Sequence, residues 1–418
     1  MKKTIKDYIT VLFGTGFSRG VSFLNSIIVA RILGPADFGK FSIFFTVMVL
    51  TWLFPQAFDA TFIRNAAIAE SDDEKREYFK MAVIMKIIYS VIAIVISYPL
   101  SILLAKYCFQ KPGIEWVITL AVISGVFQSF LMTIASIYQE REHFTMFSFF
   151  YSFYTVTIFL MLILSVVFGM RPSFNMAIAM YASVSLAIGT VSIYLIFKRK
   201  IRNLLPLDTK ILNSSFAFGK WIFGTMTLGY LFTRLDLFFL PRYVKFESVG
   251  IYFSAQQFIL VISVMTGSLS NVFLPKGCKA LESRATYARF IKESFIISSA
   301  INILVVILII FAHSIIRVLY GPDYESAGSI MRILLLGYLF SIVYMPFSAL
   351  FFALGMMKQR FMLEASKFVI ALILLFMLVP SYGIWGAAIS ITITFILNSA
   401  VSMIYIKNKV DNHFVSHA

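Results

Sequence analysis

Arg19 stands inside an apolar stretch that runs from Tyr8 to Leu33. At about 1.5 Å per helical residue it lies roughly 16 Å from the start of that stretch, a depth at which a cation costs at least ~2.5–3.5 kcal/mol. A residue kept there faces a packed polar partner or a water-filled cavity. Asn25, Asp59, Lys86, Lys220, Arg234, Asp236 and Arg332 also fall within apolar segments. The deeper ions are mostly basic. Guanidinium groups grip phosphate and carboxylate oxygens through paired N–H donors, so this set predicts binding of an anionic ligand, a phosphate above all. Asp236 and Asp59 predict either structural hydrogen bonds or the uptake and release of a coupling cation.

Each of these residues also has a plainer role. Gly16-Phe17-Ser18-Arg19-Gly20 is a GxxxG pattern, which predicts close helix packing around the arginine. Lys86 and Lys220 lie near segment ends, where a long side chain reaches the interface; Arg234 is placed to do the same. Arg234 and Asp236 are two apart and point to different helix faces, whereas Glu364 and Lys367, three apart, are spaced to pair.

Other motifs carry less. Gly34-Pro35-Ala36-Asp37-Phe38-Gly39-Lys40-Phe41 approaches a phosphate-binding loop but has Phe41 where a Mg²⁺-binding hydroxyl is required. Asp72-Asp73-Glu74 reads as a solvated loop. His143, His313, His413 and His417 have no metal-ligand or nucleophile–base spacing. Cys108 and Cys278 predict neither a disulfide nor a metal site. No cofactor and no enzymatic centre is expected.

The elements that position these residues follow from composition. The 418-residue chain is 60% hydrophobic and 13% charged, with 45 Phe. Its apolar runs are about 20 residues long rather than alternating ten-residue strands, so it is an all-α membrane protein. Twelve spans are predicted: 8–33, 40–60, 80–106, 114–138, 144–168, 174–197, 214–240, 247–273, 290–313, 325–354, 360–380 and 383–406. The first carries Arg19 and no small-residue cleavage site, so it reads as a retained span rather than a signal peptide. With both termini inside, the inner segments hold 22 Lys and Arg and the outer loops 8, which predicts cytoplasmic termini and accounts for most of the net charge of +16 without nucleic-acid binding. The longest loops, 61–79 and 198–213, are too short for a folded domain, so function resides among the helices.

The chain repeats itself. Val29-Ala30-Arg31-Ile32-Leu33 aligns with Leu240-Pro241-Arg242-Tyr243-Val244 at an offset of 211, which places Asn25 on Asp236 and Gly39 on Gly250. Six spans per repeat give both halves one orientation, related by a pseudo-two-fold axis along the membrane normal. The predicted organisation is an N-terminal six-helix bundle (1–200), a cytoplasmic linker (201–213) and a C-terminal six-helix bundle (214–418).

Ser18-Arg19-Gly20-Val21, followed by Ala30-Arg31-Ile32-Leu33-Gly34-Pro35-Ala36-Asp37-Phe38-Gly39, resembles the opening of bacterial O-antigen (Wzx-type) flippases. These are polysaccharide exporters of the multidrug/oligosaccharidyl-lipid/polysaccharide superfamily. Thr233-Arg234-Leu235-Asp236 with Val249-Gly250-Ile251-Tyr252 is similar to the family's seventh span, and Tyr382-Gly383-Ile384-Trp385-Gly386-Ala387-Ala388 to the opening of its last. The resemblance covers the whole chain. It implies two six-helix bundles around a central cavity and flipping of undecaprenyl-diphosphate-linked oligosaccharide across the bacterial cytoplasmic membrane by alternating access. It places Arg19 on a cavity arginine and Asp236 on an acidic coupling position for H⁺ or Na⁺. Asn25, Lys86, Lys220, Arg234 and Arg332 join Arg19 as candidate substrate-binding residues, and Asp59 joins Asp236 for ion coupling. The implied partners are the lipid-linked oligosaccharide, membrane lipid, and the polymerase and chain-length regulator of polysaccharide assembly. The alternatives are a small-molecule or drug antiporter of the same superfamily, and a membrane polysaccharide polymerase, which would need a large outer loop that this chain lacks.

Overall fold

The computed structural model describes residues 2–200 and 209–416. Twelve α-helices run through the described residues: α1 (Lys2–Leu53), α2 (Gln56–Ile68), α3 (Asp72–Leu103), α4 (Glu115–Glu140), α5 (Phe144–Val167), α6 (Phe174–Lys200), α7 (Thr209–Tyr243), α8 (Phe246–Ala280), α9 (Arg284–Ile310), α10 (Ala312–Tyr320), α11 (Ala327–Ala353) and α12 (Met357–Ser416). Eight stretches among them are long and apolar enough to cross a membrane. Two of the eight hold a pair of crossings each. α1 breaks at Gly34 (φ 70°) and α12 at Gly383 (φ 52°), backbone angles that favour glycine. The chain doubles back at both. Ser152 of α5 donates to the Gly14 carbonyl in the first arm of α1, while Tyr154, two residues on, reaches Met48 in the second arm. In α12 a Cβ on Gly386 would lie 2.3 Å from the Leu378 carbonyl oxygen, an approach that a straight helix never makes. With α7 and α8, 35 residues each, the total is the twelve crossings read from hydropathy. The chain is a multi-pass membrane protein.

Contacts divide it into two compact units, Met1–Arg242 and Tyr243–Ala418. α7 groups with the first unit, where the sequence repeat places it with the second; residues 201–208 of the expected linker lie outside the described residues. The repeat itself is visible in the turns. Glu142 (φ 57°) and Gly355 (φ 66°), 213 positions apart, both adopt the left-handed conformation at a helix end. Each is followed by the same closing bond, His143 N–H to Tyr138 O (2.9 Å) and Met356 N–H to Phe351 O (2.8 Å). Ser71 and Ser283, 212 apart, both cap a helix N-terminus by accepting from the backbone N–H three residues later. Asp72, Asp73 and Glu74 therefore form the first turn of α3 rather than a loop, and Asp72 and Asp73 pair with Lys75 and Arg76.

In each unit one helix is central. α4 touches α1, α2, α3, α5 and α6; α11 touches α8, α9, α10 and α12. Lipid tails give helices no hydrophobic reason to associate, so close approach through small residues holds such centres together. A Cβ on Gly125 of α4 would stand 2.5 Å from the Met48 carbonyl oxygen, and one on Gly337 of α11 2.8 Å from Thr392 Cα. Gly16 and Gly20 differ: a Cβ there would meet nothing within 4 Å, so their GxxxG pattern marks an open face and not the helix contact it predicts. Gly125→Ala is expected to destabilise the protein by ~1–3 kcal/mol through overpacking, read as a lower Tm in detergent, while Gly16→Ala leaves Tm unchanged.

Candidate functional site

The first unit collects most of the candidate residues. Arg19 lies on the open face of α1, its side chain exposed, flanked by Gly16 and Gly20. Among the described residues it makes no ion pair or hydrogen bond. Its neighbours along the helix are held differently: Ser18 is buried, and buried Asn25 donates from Nδ2 to the Thr155 carbonyl of α5 (3.0 Å) while its Oδ1 has no partner. The arrangement offers an uncompensated guanidinium in a membrane-spanning segment with room beside it, which suits an incoming anion.

Lys86 is a different object. It neither reaches an interface nor lines open space: its side chain is 0% exposed. Its ammonium donates to Asp59 Oδ2 (2.6 Å), to the Ser129 carbonyl (3.0 Å) and to the Thr133 hydroxyl. Thr133 in turn donates to Asp59 Oδ1 (3.1 Å), closing a ring that joins α2, α3 and α4. Three N–H donors meet three acceptors, so the charge is fully satisfied. The expectation of Lys86 as an anion-binding cation is therefore corrected: its charge is spent on Asp59. The same contact removes Asp59 as an open cation site, since the ammonium already holds the place an ion would take. Local structure sets this up. The helix breaks at Phe54–Pro55, and α2 restarts with Asp59 in its first turn, where unpaired backbone N–H groups favour a carboxylate.

Arg332 is also spent on structure. It sits in the second turn of α11, and donates from Nε to the Ile309 carbonyl (3.0 Å) and from an Nη to the Ile310 carbonyl (3.2 Å). Those are the last carbonyls of α9, left without helical partners, so Arg332 caps that helix with a cation at its negative end. Arg234 is 2% exposed rather than reaching out of the span. It hydrogen-bonds the Tyr230 hydroxyl, one turn earlier on α7, and Tyr230 reaches the Thr46 carbonyl (3.4 Å). Asp236 is 1% exposed, and its Oδ1 accepts from the Leu237 N–H (2.8 Å). The Lys220 side chain lies outside the described residues. Glu364 and Lys367 pair as their spacing predicts.

Thr133 and Ser129 escape a search for charges. Their signal is a polar stripe on an otherwise apolar helix: Gly125, Ser129 and Thr133 recur every four residues along α4, one face of a helix. Arg332→Ala is expected to lower Tm in detergent, with a stability loss of about 1 kcal/mol from the uncapped helix.

Comparison with known proteins bears on what such a site serves. Residues 28–329 match the profile of the polysaccharide biosynthesis protein family. The chain is 25% identical over 187 residues to a putative O-antigen transporter of Shigella flexneri, covering 44% of each protein. It is 22% identical over 401 residues to the capsular polysaccharide biosynthesis protein CapF of Staphylococcus aureus, covering 93% of this chain and 96% of CapF. It thus spans less than half of the Shigella relative in alignment and nearly all of CapF. Among solved structures, the lipid II flippase MurJ in an inward closed conformation superposes with a TM-score of 0.76 at 19% identity, over 97% of this chain and 90% of MurJ. An inward-facing multidrug resistance transporter of the same superfamily gives 0.72 at 16% identity, over 96% of each chain. The chain shares the fold of these transporters.

Proposed function

We propose that this chain, which belongs to the polysaccharide biosynthesis protein family, moves an undecaprenyl-diphosphate-linked oligosaccharide across the bacterial cytoplasmic membrane by alternating access. The observation that carries this reading is the state of the deep cations. Lys86 is neutralised by Asp59, Arg332 caps a helix and Arg234 is buried, whereas Arg19 keeps an exposed, uncompensated charge beside two glycines. A diphosphate headgroup supplies what that guanidinium lacks: two or more anionic oxygens at the spacing of its N–H fork. The sugar rides in water and the polyprenyl tail stays in lipid, so only the headgroup needs a charged partner in the membrane.

Basic residues in the loops support cytoplasmic termini. Ion coupling, by H⁺ or Na⁺, belongs to Asp236, a carboxylate buried within the seventh span. The polymerase and chain-length regulator act on the product after it has crossed. A drug antiporter that extrudes cations is disfavoured, because Arg19, the exposed deep charge among the described residues, is positive.

Export of surface polysaccharide tests the reading in a strain lacking the native gene. Arg19→Ala is expected to reduce export about 10–100-fold, the size of a lost charge-assisted hydrogen-bond pair. Arg19→Lys, which keeps the charge and loses the fork, falls between Ala and wild type. Membrane insertion is checked for both by protein yield. Full export by the two variants refutes the role of Arg19.

A further inference from the structure

We infer that Asp59, the Ser129 carbonyl and the Thr133 hydroxyl form a monovalent-cation site, shaped for an ammonium, which this chain fills permanently with its own Lys86. The geometry is that of a host and guest. The ammonium has three N–H groups and meets three oxygens, one each from Asp59, Ser129 and Thr133. The second carboxylate oxygen is held by Thr133 (3.1 Å), so the host is organised by a bond that does not involve the guest. Ser129 and Thr133 are one turn apart on α4, which brings a carbonyl and a hydroxyl together on one face. The Phe130 ring, 6.0 Å from Nζ, adds the negative face of an aromatic to the cage. Asp59 is 4% exposed and Lys86 fully enclosed, so water contributes little to either charge.

A tethered guest is present at an effective concentration far above that of any ion in solution, so the site does not exchange with sodium, potassium or ammonium. Two consequences follow. The cation bridges α2 to α3 and α4, tying down a short helix that begins just after the Phe54–Pro55 break. Asp59 is also removed from ion coupling; this second consequence rests on the transport reading, the site itself does not.

Lys86→Ala deletes three carbons and the ammonium, and propylammonium is the missing piece. In detergent, Lys86→Ala is expected to lower Tm by about 5–10 °C. Propylammonium restores Tm towards the wild-type value in a saturable way, whereas tetramethylammonium, a cation without N–H groups, at equal ionic strength does not. Wild type, its site filled, responds to neither amine, and nor does the double variant Asp59→Asn/Lys86→Ala. Where Lys86→Ala does not survive extraction, the same comparison is read as the yield of folded protein from cells grown with each amine. Equal effects of the two amines on Lys86→Ala, or rescue that persists in the double variant, overturn the site. None of these readouts involves transport, so a failure of the flippase reading leaves this test intact.

Discussion

A charge inside a hydrocarbon layer has no water to turn to, and two deep cations among the described residues answer that constraint in a visible way. Lys86 answers it with a carboxylate, a carbonyl and a hydroxyl. Arg332 answers it with the free carbonyls at the end of α9. These solutions shape the helices around them: the break at Pro55 starts a new helix with Asp59 in its first turn, and α4 carries hydroxyls where a lipid-facing helix would carry leucine. A buried ion pair adds little net stability compared with well-packed apolar residues, but removal of one partner is expensive because it strands the other. Such a pair therefore specifies which helices meet more than how tightly they hold. In the first unit it specifies that α2 docks on α3 and α4.

The same constraint makes Arg19 informative. Among the described residues of the first unit, Arg19 is a cation with no ion pair or hydrogen bond on an open helix face, whereas Lys86 is fully satisfied. The glycines on either side deepen the contrast. Read as packing glycines, Gly16 and Gly20 would have enclosed the arginine; with nothing within 4 Å of a Cβ placed on either, they leave space instead.

Hydropathy made the twelve crossings legible, because a helix that crosses lipid must be apolar for about 20 residues and little else in a sequence looks like that. Element ends were also legible where chemistry marks them, as at Ser71 and Ser283. What stayed hidden was pairing. Asp59 and Lys86 are 27 residues apart and on different helices, and neither spacing rule for helices nor any local motif joins them. The sequence pointed to an interface as the destination of Lys86; tertiary packing overrode it. Arg332 was equally ambiguous, since a helix-capping arginine and a cavity arginine have the same sequence environment. The polar stripe on α4 was the one available clue, and it lies in uncharged residues that a census of ions passes over.

The repeat explains the skeleton and, by its failures, locates the chemistry. Turns and caps recur at offsets of 212 and 213, so the two halves of the repeat share these helix ends. The functional side chains do not recur. At an offset of 211 Arg19 falls on Tyr230 and Asn25 on Asp236; at 212 Lys86 falls on Ser298 and Thr133 on Met345. Structural residues are kept in both copies because both copies must pack, whereas a binding cation or a coupling carboxylate is needed once. The exposed deep guanidinium of Arg19 and the enclosed ammonium of Lys86 both belong to the first three spans, and the buried carboxylate of Asp236 belongs to the seventh. A duplicated fold in which cation and carboxylate sit at different positions of the repeat can respond differently to a headgroup and to an ion, which a strictly symmetric pair of bundles could not do.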